Sequence, residues 1–330
     1  MKFGILGAGR IAVTMAETVR RMNESGDSCA ELYAVASRDM ERAQTFARHN
    51  GVQKAFGSYA DMLADPALEA VYIATPHSHH YRQIKLCADA GKHVLCEKAF
   101  TVNARQAQDA LAYARKKGVL AAEAIWTRYQ PMRRIIAETL ASGVIGEPRT
   151  LSANLCYMIT DKERIVKREL AGGALLDVGV YTLNFAEMAF GHACRVSGSC
   201  TKNEDGVDMH DSMTLEWEDG RTAALYAAAD CVSDRRGVIC GSEGFIAVEN
   251  INNPQSLTVY GKNYRVIQEQ AAPAQLTGYE YEVREFCECA AAGKPECPSM
   301  PHTETVRMME MMDSLRAQMG IVYPCEDWEC

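Results

Sequence analysis

The position of Lys98 in the sequence suggests that this residue takes part in a reaction. It closes the segment HVLCEK (residues 93–98), whose apolar run is typical of a buried strand. In an open α/β sheet, ligands bind beyond the carboxyl ends of the strands, so the lysine amine is delivered to that crevice. There it can donate a proton or a hydrogen bond to an oxygen while hydride moves at the adjacent carbon. The local sequence alone fits equally well a surface lysine that follows a strand.

Asp177 and Tyr181 form a second candidate pair, in the stretch LAGGALLDVGVY (residues 170–181). Their spacing of four residues places a carboxylate and a phenol on one face of a helix. Such a pair can relay a proton: the tyrosine would lie over the reacting carbinol, and the aspartate would orient a neighbour. A helix-capping aspartate beside a core tyrosine is the alternative interpretation.

The chain opens with a glycine pattern, Gly7-x-Gly9-x-x-Ala12, between an apolar run and a helix-like stretch. In a dinucleotide fingerprint the first glycine allows a tight turn and the second lets the backbone approach a pyrophosphate. The alanine permits close packing of helix and strand, and the helix N-terminus offers N–H groups to the phosphates. We therefore predict that a nicotinamide dinucleotide binds here, contacting Gly7, Ala8, Gly9, Arg10 and Ile11.

The end of the second strand bears on which dinucleotide binds. An NAD site usually has an acidic residue here to hold the ribose hydroxyls, whereas this chain has Ser37 and Arg38, followed by Arg42. A hydroxyl and two guanidinium groups suit a 2′-phosphate. The sequence thus favours NADP as the cofactor, and Asp39, just beyond the strand, is the best argument for NAD.

In the first third of the chain, strand-like and helix-like segments alternate, as in a doubly wound α/β domain. The predicted strands are Lys2–Leu6, Glu31–Ser37, Ala70–Ala74, His93–Cys96 and Val119–Ala124. Helix-like stretches separate them, and the near-continuous apolar strands indicate a parallel sheet covered on both faces. We assign residues 1–125 to an NAD(P)-binding Rossmann domain.

The rest of the chain, residues 126–330, is predicted to be a second, α+β domain for substrate binding and oligomerisation. Its strand-like runs are Leu151–Met158, Met213–Glu218, Thr222–Ala229, Gly237–Cys240, Phe245–Glu249 and Leu257–Tyr260. Short connections between consecutive strands favour an antiparallel or mixed sheet. Two late helices, near residues 279–292 and 303–319, are predicted to cover it.

Composition excludes several classes of partner. A net charge of −8 argues against a nucleic-acid groove, and no apolar run approaches the length of a membrane span. The N-terminus passes directly into a strand without a signal-peptide pattern, so a cytoplasmic protein is expected. The thirteen cysteines include no CxxC pair, which favours free thiols. The histidines at 77, 79 and 80 lack matching metal-ligand spacing, so no metal is predicted.

Taken together, these motifs resemble the glucose–fructose oxidoreductase / inositol dehydrogenase / rhizopine catabolism (Gfo/Idh/MocA) family. The resemblance is carried by the N-terminal fingerprint, the Glu97-Lys98 pair and the stretch GGALLDVGVY. Two further segments, EAIWTRYQP (residues 123–131) and GIVYP (residues 320–324), are similar to the dimeric dihydrodiol dehydrogenase branch, which also oxidises D-xylose with NADP. The similarity spans essentially the whole chain.

The resemblance implies a Rossmann domain followed by a domain with a large, mostly antiparallel open sheet, and a homodimer. It implies that Lys98 and Tyr181 are catalytic, with Asp177 in support. It also implies further contacts, to the cofactor from Thr75, Pro76, His80 and Glu97, and to the substrate from Trp126, Arg128 and Tyr129. The family usually has proline after the Glu-Lys pair, whereas this chain has Ala99, so other packing must orient the lysine.

Three functions follow as hypotheses. The first is an NADP-dependent oxidoreductase that transfers hydride between nicotinamide and a ring carbinol of a sugar, polyol or trans-dihydrodiol. The second is a glycoside-cleaving enzyme that oxidises and re-reduces its substrate without net redox change. The third is a non-catalytic NADP sensor, for which Lys98, Asp177 and Tyr181 would be unnecessary. The aromatic and cationic residues Trp126, Arg128 and Tyr129 suit a sugar or cyclic diol, but they select no single ring.

Overall fold

The computed structural model describes residues 1–326, and the last four residues of the predicted second domain lie outside them. The chain divides into two compact units. The first unit holds Met1–Tyr129 and Gln275–Val306, and the second holds Gln130–Ala274 and the described residues from Arg307 on. The segment 275–306 thus returns to the first unit, whereas the sequence-based division placed every residue from 126 onward in the second domain.

The first unit is built on a six-stranded parallel sheet. Its strands are β1 (Lys2–Leu6), β2 (Glu31–Ala36), β3 (Lys54–Phe56), β4 (Ala70–Ile73), β5 (His93–Glu97) and β6 (Ala121–Ala124). They lie in the order β3-β2-β1-β4-β5-β6, so the order reverses between β1 and β4. All pairs are parallel, which confirms the predicted doubly wound sheet. The reversal creates the crevice at which such sheets bind ligands.

Five helices connect these strands: α1 (Arg10–Glu24), α2 (Met40–Asn50), α3 (Tyr59–Leu63), α4 (His77–Asp89) and α5 (Ala104–Lys116). Each longer helix buries one stripe of small or apolar residues. On α1 the buried side chains of Met15, Val19 and Met22 recur every three to four residues, which is the spacing of one helical face. The sheet and helices therefore share one core whose strands are buried almost throughout.

The second unit contains an eight-stranded sheet. Its strands are β7 (Pro148–Cys156), β8 (Arg195–Lys202), β9 (Asp208–Glu216), β10 (Thr222–Ala228), β11 (Gly237–Gly241), β12 (Gly244–Val248), β13 (Ser256–Gly261) and β14 (Val266–Ala271). Their order is β14-β13-β12-β11-β7-β10-β9-β8. Only β7 and β10 pair in parallel; the other pairs are antiparallel, which confirms the mostly antiparallel sheet.

The remaining helices are α6 (Pro131–Ala141), α7 (Glu163–Val166), α8 (Val180–Phe190), α9 (Glu280–Ala291) and α10 (His302–Met319). One face of the second sheet is covered, and α8 packs there against β7 and β10 with nearly all its residues buried. A Cβ at Gly237 would collide with the ring of Phe185, so this glycine lets α8 approach β11 closely. The opposite face is open: along β10, Leu225 is buried and its neighbour Tyr226 is 48% exposed.

Helix α9 packs in the first unit, so the prediction that it covers the second sheet is wrong. Phe286 on α9 meets Phe3 of β1 edge-to-face, with ring centroids 5.6 Å apart. Arg284, also on α9, forms an ion pair with Asp27 after α1. Its amphipathic pattern identified a helix but carried no information about which sheet its apolar side would cover.

Strands β3, β8 and β14 were not predicted from the sequence. Each lies at an edge of its sheet, where no side chain of β8 or β14 is fully buried. Edge strands bury little, so the alternation that identifies a strand is weak there. Within residues 1–326, no helix combines the length and the apolar character needed to cross a bilayer.

Candidate active site

The glycine-rich loop joins β1 to α1 as predicted. Gly7 has φ +101°, and a Cβ there would lie 2.9 Å from the carbonyl oxygen of Ala74, so only glycine fits without displacement. Gly9 is the N-cap of α1, and no side chain caps this helix. Side chains of Asp39, Ser58 and Asn103 cap α2, α3 and α5 of the same unit. The first N–H groups of α1 therefore remain available to an anion.

The residues predicted to choose the cofactor follow β2. Arg38 is exposed and has no hydrogen-bond partner among residues 1–326. Arg42 instead donates from Nε and Nη2 to the carbonyl oxygen of Ala8, at 3.2 and 3.0 Å, and so links α2 to the glycine-rich loop. The Asp39 carboxylate accepts the N–H groups of Glu41 and Arg42 and serves as a helix cap. Both N–H groups bond to Oδ1, so the cap uses one oxygen of this exposed carboxylate.

The segment after β4 is held by His80. The two ring nitrogens lie 3.0 Å from the carbonyl oxygen of Ala99 and 2.8 Å from that of Thr75. Burial lowers the pKa of His80 to about 4, although both carbonyl contacts act in the opposite direction. His80 thus joins the loop after β4 to the residue that follows Lys98, and its ring nitrogens are occupied by backbone groups. Pro76, the residue after Thr75, is the N-cap residue of α4.

Lys98 follows β5 directly and is partly exposed. Its backbone N–H donates to Oε2 of Glu97 at 3.3 Å, and the Tyr72 hydroxyl donates to Oε1 of the same carboxylate. Glu97 is 7% exposed, so both its oxygens are fixed by partners inside the unit. Tyr72 was not among the predicted residues because a tyrosine within an apolar strand is normally a core residue. The peptide bond between Lys98 and Ala99 is cis.

The structure brings three predicted segments to one edge of the first sheet. Leu6 of β1 pairs with Ile73 of β4, which pairs with Cys96 of β5. The residues just beyond these positions are Gly7, Thr75 and Lys98, so all three segments leave the sheet at its carboxyl edge. This is the edge where an open α/β sheet places its ligand.

Trp126, Arg128 and Tyr129 lie in a 3₁₀ turn and the residue after it, and all three are buried. The Trp126 ring stacks on Tyr279, with centroids 4.1 Å apart and planes 9° apart. Arg128 is 3% exposed, and its Nη1 lies 3.0 Å from Oε2 of Glu304. The Tyr129 hydroxyl donates to the carbonyl oxygen of Glu123 at 2.9 Å. These partners hold the three side chains in the first unit.

Asp177 and Tyr181 lie in the second unit, at the start of the long buried helix that continues as α8. Residues Leu175–Gly179 form a π-helical turn, not the α-helical turn that the four-residue spacing assumed. A π turn contains about one residue more than an α turn, so Asp177 and Tyr181 still lie about one turn apart. Both are buried, with 5% and 8% of their surface exposed.

Arg164 on α7 is a functional candidate that the sequence did not reveal. Its Nη1 lies 2.7 Å from Oδ1 of Asp177, and its Nη2 lies 3.5 Å from Oδ2. The two glycines before the π turn permit this approach, because a Cβ at Gly172 would collide with the carbonyl oxygen of Ile165. No spacing rule links residues 164 and 177, and the pairing follows from the close packing of α7.

Asp208 on β9 fixes the other side of the same turn. Its Oδ2 accepts the N–H of Leu175 at 2.7 Å, and a Cβ at Gly173 would collide with its carboxylate. Burial raises the pKa of Asp208 and, further, that of its neighbour Asp211. Gly172 and Gly173 thus allow α7 and the Asp208 carboxyl group to pack closely against the start of the helix that carries Asp177 and Tyr181.

Comparison with known proteins gives a consistent result. Residues 1–124 match the family model GFO_IDH_MocA, described as an oxidoreductase family with an NAD-binding Rossmann fold, and residues 133–247 match the GFO/IDH/MocA C-terminal domain. A trans-1,2-dihydrobenzene-1,2-diol dehydrogenase from Xenopus tropicalis is 32% identical over 98% of this chain and 99% of the relative. The human protein of that name is 30% identical over 98% of both chains.

Solved structures share the fold. A 3-ketoreductase from Actinomadura kijaniata, in complex with NADP and TDP-benzene, superposes with a TM-score of 0.86 at 24% identity, covering 97% of this chain and 98% of that one. A levoglucosan dehydrogenase, in complex with NADH and levoglucosan, also gives 0.86, at 16% identity over 97% of both chains. At these identities the likeness concerns the fold alone.

Proposed function

The chain belongs to the Gfo/Idh/MocA oxidoreductase family, and we propose that it is an NADP-dependent dehydrogenase acting on a ring carbinol of a sugar, a polyol or a trans-dihydrodiol. The observation that carries this proposal is the shared carboxyl edge of β1, β4 and β5, from which Gly7, Thr75 and Lys98 emerge. A phosphate-binding loop and a proton-donating amine at one edge match a nicotinamide oxidoreductase better than a purely binding protein.

The residues of the glycine-rich loop fit a dinucleotide. Gly7 has no room for a side chain, and α1 begins at Gly9 without the side-chain cap that α2, α3 and α5 possess. The loop backbone at Ala8, with Arg10 and Ile11 in the first turn of α1, would hold the pyrophosphate. A bound nicotinamide supplies the hydride acceptor; the remaining chemistry belongs to the protein's own side chains.

We propose NADP as the preferred cofactor, with NAD as the alternative. Arg38 is an exposed guanidinium without a partner in the described part of the chain, and it follows Ser37 at the end of β2. A 2′-phosphate would supply the charge-assisted hydrogen bonds that Arg38 lacks. Asp39 supports the alternative, because it caps α2 with Oδ1 only and its other oxygen is available to a ribose hydroxyl. Arg42 would contribute through the loop, since it binds the Ala8 carbonyl.

Lys98 and Tyr181 are the proposed acid/base residues, and one of them would remove the hydroxyl proton when the carbinol is oxidised. The Lys98 N–H and the Tyr72 hydroxyl both donate hydrogen bonds to the Glu97 carboxylate, and these bonds fix the backbone from which the lysine side chain extends. Tyr181 lies about one turn after Asp177, whose charge Arg164 balances. With its charge balanced, Asp177 is proposed to orient a neighbour rather than to take up the proton itself. His80, Thr75 and Pro76 would line the nicotinamide ribose.

The substrate class rests on the relatives' names and on the aromatic segment. The similar proteins from frog and human are named for a trans-dihydrodiol, which is a cyclic secondary alcohol. The flat ring of Trp126 suits the face of a sugar or a cyclic diol, but one of its faces already stacks on Tyr279, so a substrate would have to meet the other. Arg128 pairs with Glu304, so a substrate contact from it would have to compete with that ion pair. Tyr129 would fix the position of this segment through its hydrogen bond to the Glu123 carbonyl oxygen.

We also propose a cytoplasmic homodimer. The open face of the second sheet carries exposed apolar side chains, among them Tyr226, which are suited to association. Among residues 1–326 the twelve cysteines are free thiols, as expected in a reducing compartment.

A spectrophotometric screen tests the proposed function. Purified protein is mixed with NADP⁺ or NAD⁺ and with D-xylose, D-glucose, inositols or a trans-cyclohexadiene diol, and the formation of reduced nicotinamide is followed. We expect turnover with NADP⁺ and one class of polyol. Release of an aglycone from a glycoside without net cofactor reduction would instead indicate the redox-neutral enzyme. Tight NADP binding without turnover on any of these alcohols would indicate a sensor.

A further inference from the structure

Two cysteines meet at the edge of the first sheet opposite the glycine-rich loop. Cys29 lies between α1 and β2, and Cys287 lies on α9. Both line an open cavity of about 640 Å³ whose walls include Glu69, just before β4, and His93, the first residue of β5. The cavity is therefore at the amino ends of the parallel strands, away from the proposed cofactor site and reachable by small molecules.

An ion pair holds the two thiol-bearing segments together. The Arg284 guanidinium on α9 reaches Oδ2 of Asp27 with Nε at 2.9 Å and Nη2 at 2.8 Å. Arg284 precedes Cys287 by three residues and so shares its helix face. Asp27 precedes Cys29 by two residues, and its other oxygen accepts the Cys29 N–H at 3.3 Å. The ion pair thus joins the two segments whose thiols line one cavity, where the two thiols interact with each other.

The two thiols differ in the way that a reactive pair requires. The interaction with Cys287 lowers the pKa of Cys29, although burial and the neighbouring Asp27 carboxylate act in the opposite direction. The same interaction, together with burial, raises the pKa of Cys287, which is only 5% exposed. Because Cys29 is partly exposed on the cavity wall and Cys287 is buried, Cys29 is the thiol that an oxidant in the cavity reaches first.

We propose that Cys29 and Cys287 form a redox-reactive thiol pair that takes a hydroperoxide as its oxidant. The Cys29 thiolate attacks the peroxide, gains one oxygen to become a sulfenic acid, and releases the other oxygen as hydroxide or alkoxide. The Cys287 sulfur then attacks the Cys29 sulfur, the S–O bond breaks, and water leaves as the disulfide forms. A dithiol reductant reverses the reaction by thiol–disulfide exchange. This reactivity does not depend on the dehydrogenase function.

A second pair of adjacent thiols provides an internal comparison. Cys289 and Cys297 also interact with each other, but burial raises the pKa of both, and they are 3% and 0% exposed. Two thiols therefore interact at two places, whereas a partly exposed thiol on the wall of the open cavity is present only at Cys29 among these four residues. Cys194 is an exposed cysteine that belongs to neither pair, and it therefore shows what exposure alone does to a thiol.

The test is to map the oxidation of the folded, full-length protein. The protein is treated with an equimolar amount of hydrogen peroxide, quenched by alkylation, digested and analysed by mass spectrometry. We expect the Cys29–Cys287 disulfide to form before any other change and to disappear with dithiothreitol. Because Cys287 and Cys289 are two residues apart, the C289S variant is used to assign the link.

Three variants make the result specific. C29S should lose the link and leave Cys287 reduced, whereas C287S should leave Cys29 as a sulfenic acid that dimedone traps. C194S is the matched control and should form the link at the wild-type rate. A Cys289–Cys297 link, or oxidation of Cys194, while Cys29 stays reduced would overturn the proposal. Conversion of wild-type Cys29 to a sulfinic acid without any disulfide would overturn it equally, because Cys287 would then not act as the partner.

Discussion

Arg164 holds both oxygens of Asp177, with Nη1 2.7 Å from Oδ1 and Nη2 3.5 Å from Oδ2. Asp177 is almost entirely buried at the start of the helix that carries Tyr181, while the side chain of Arg164 is 41% exposed. A buried carboxylate needs a partner to remain ionised. The geometry therefore assigns Asp177 the role of a fixed negative charge, and α7 becomes part of the proposed catalytic apparatus through Arg164.

Replacing Arg164 tests this relationship. Arg164→Met should lower kcat by about tenfold or more, because it leaves the Asp177 charge unbalanced at the base of the catalytic helix. Arg164→Lys should restore part of the loss, since an ammonium supplies charge without the two-point geometry. The matched control is Arg149→Met, which removes an exposed ion pair with Glu147. Equal kcat in the Arg164→Met and Arg149→Met variants would show that the Arg164–Asp177 contact is not needed for turnover.

The proposed proton-transfer residues make a second prediction. Lys98→Met and Tyr181→Phe should each lower kcat by about 10²–10⁴-fold, the usual contribution of a general acid or base. Neither change should weaken NADP binding, because the glycine-rich loop and Arg38 are untouched. Steady-state kinetics and fluorescence titration with NADPH provide the two measurements. Near wild-type turnover in both variants would remove Lys98 and Tyr181 from the catalytic assignment.

Arg38 makes a prediction about cofactor choice. Arg38→Ala should raise the Kd for NADP by about tenfold or more, because a hydrogen bond between charged groups is worth about 1.5–3 kcal/mol. The Kd for NAD should change little, since NAD lacks the 2′-phosphate. Arg48→Ala is the control: Arg48 is an exposed arginine of α2 that donates to the Thr45 hydroxyl on its own helix. An equal loss of affinity for both cofactors would argue against a 2′-phosphate contact.

Glu123 predicts a pH dependence of stability. It is 2% exposed, and burial raises its pKa from 4.5 to about 7, against the hydrogen bond from Thr305 and the charge of Arg128. A raised carboxyl pKa means that the folded protein keeps a proton that the unfolded chain loses. The contribution of Glu123 to stability is therefore complete below about pH 4.5 and is lost as the pH rises through about 7. Its full size is about 3 kcal/mol, from the pKa difference.

Chemical denaturation of the wild type and of Glu123→Gln at several pH values between about 5 and 8 measures this effect. The variant should lose the part of the pH dependence that Glu123 contributes, so the difference in the free energy of unfolding should change between about pH 5 and 7 and level off above about 7. Comparing the two proteins at each pH cancels the contribution of His80, which has the opposite sign because its pKa is lowered. Glu138→Gln, at an exposed position of α6, should follow the wild type throughout. A Glu123→Gln curve parallel to the wild type would contradict the buried-proton account.

Features with local causes were predictable from the sequence. The glycine-rich turn follows from Gly7, whose backbone conformation and contact with Ala74 exclude a side chain. The parallel sheet follows from its continuous apolar strands, and the position of Lys98 follows from the end of one of them. These properties depend on a few neighbouring residues and on general rules for strand ends. The predicted roles of the site residues themselves remain predictions.

Features that arise from distant pairs were not predictable. Arg128 meets Glu304 across 176 residues of sequence, and α9 packs on the first sheet although it follows the second. The π-helical turn at Leu175–Gly179 was not predicted either, and Asp208, which accepts the Leu175 N–H, lies on a distant strand. Spacing rules describe one element at a time, and these contacts join elements.

The most direct test of the central claim is deuterium transfer from a carbinol to the cofactor. A substrate identified by the alcohol screen is prepared with deuterium on the carbinol carbon and incubated with the protein and NADP⁺. The account predicts that the NADPH formed carries the deuterium and that the Lys98→Met variant forms far less of it. Reduced cofactor without deuterium, or substrate consumption without reduced cofactor, would contradict hydride transfer from that carbon as the function of this protein.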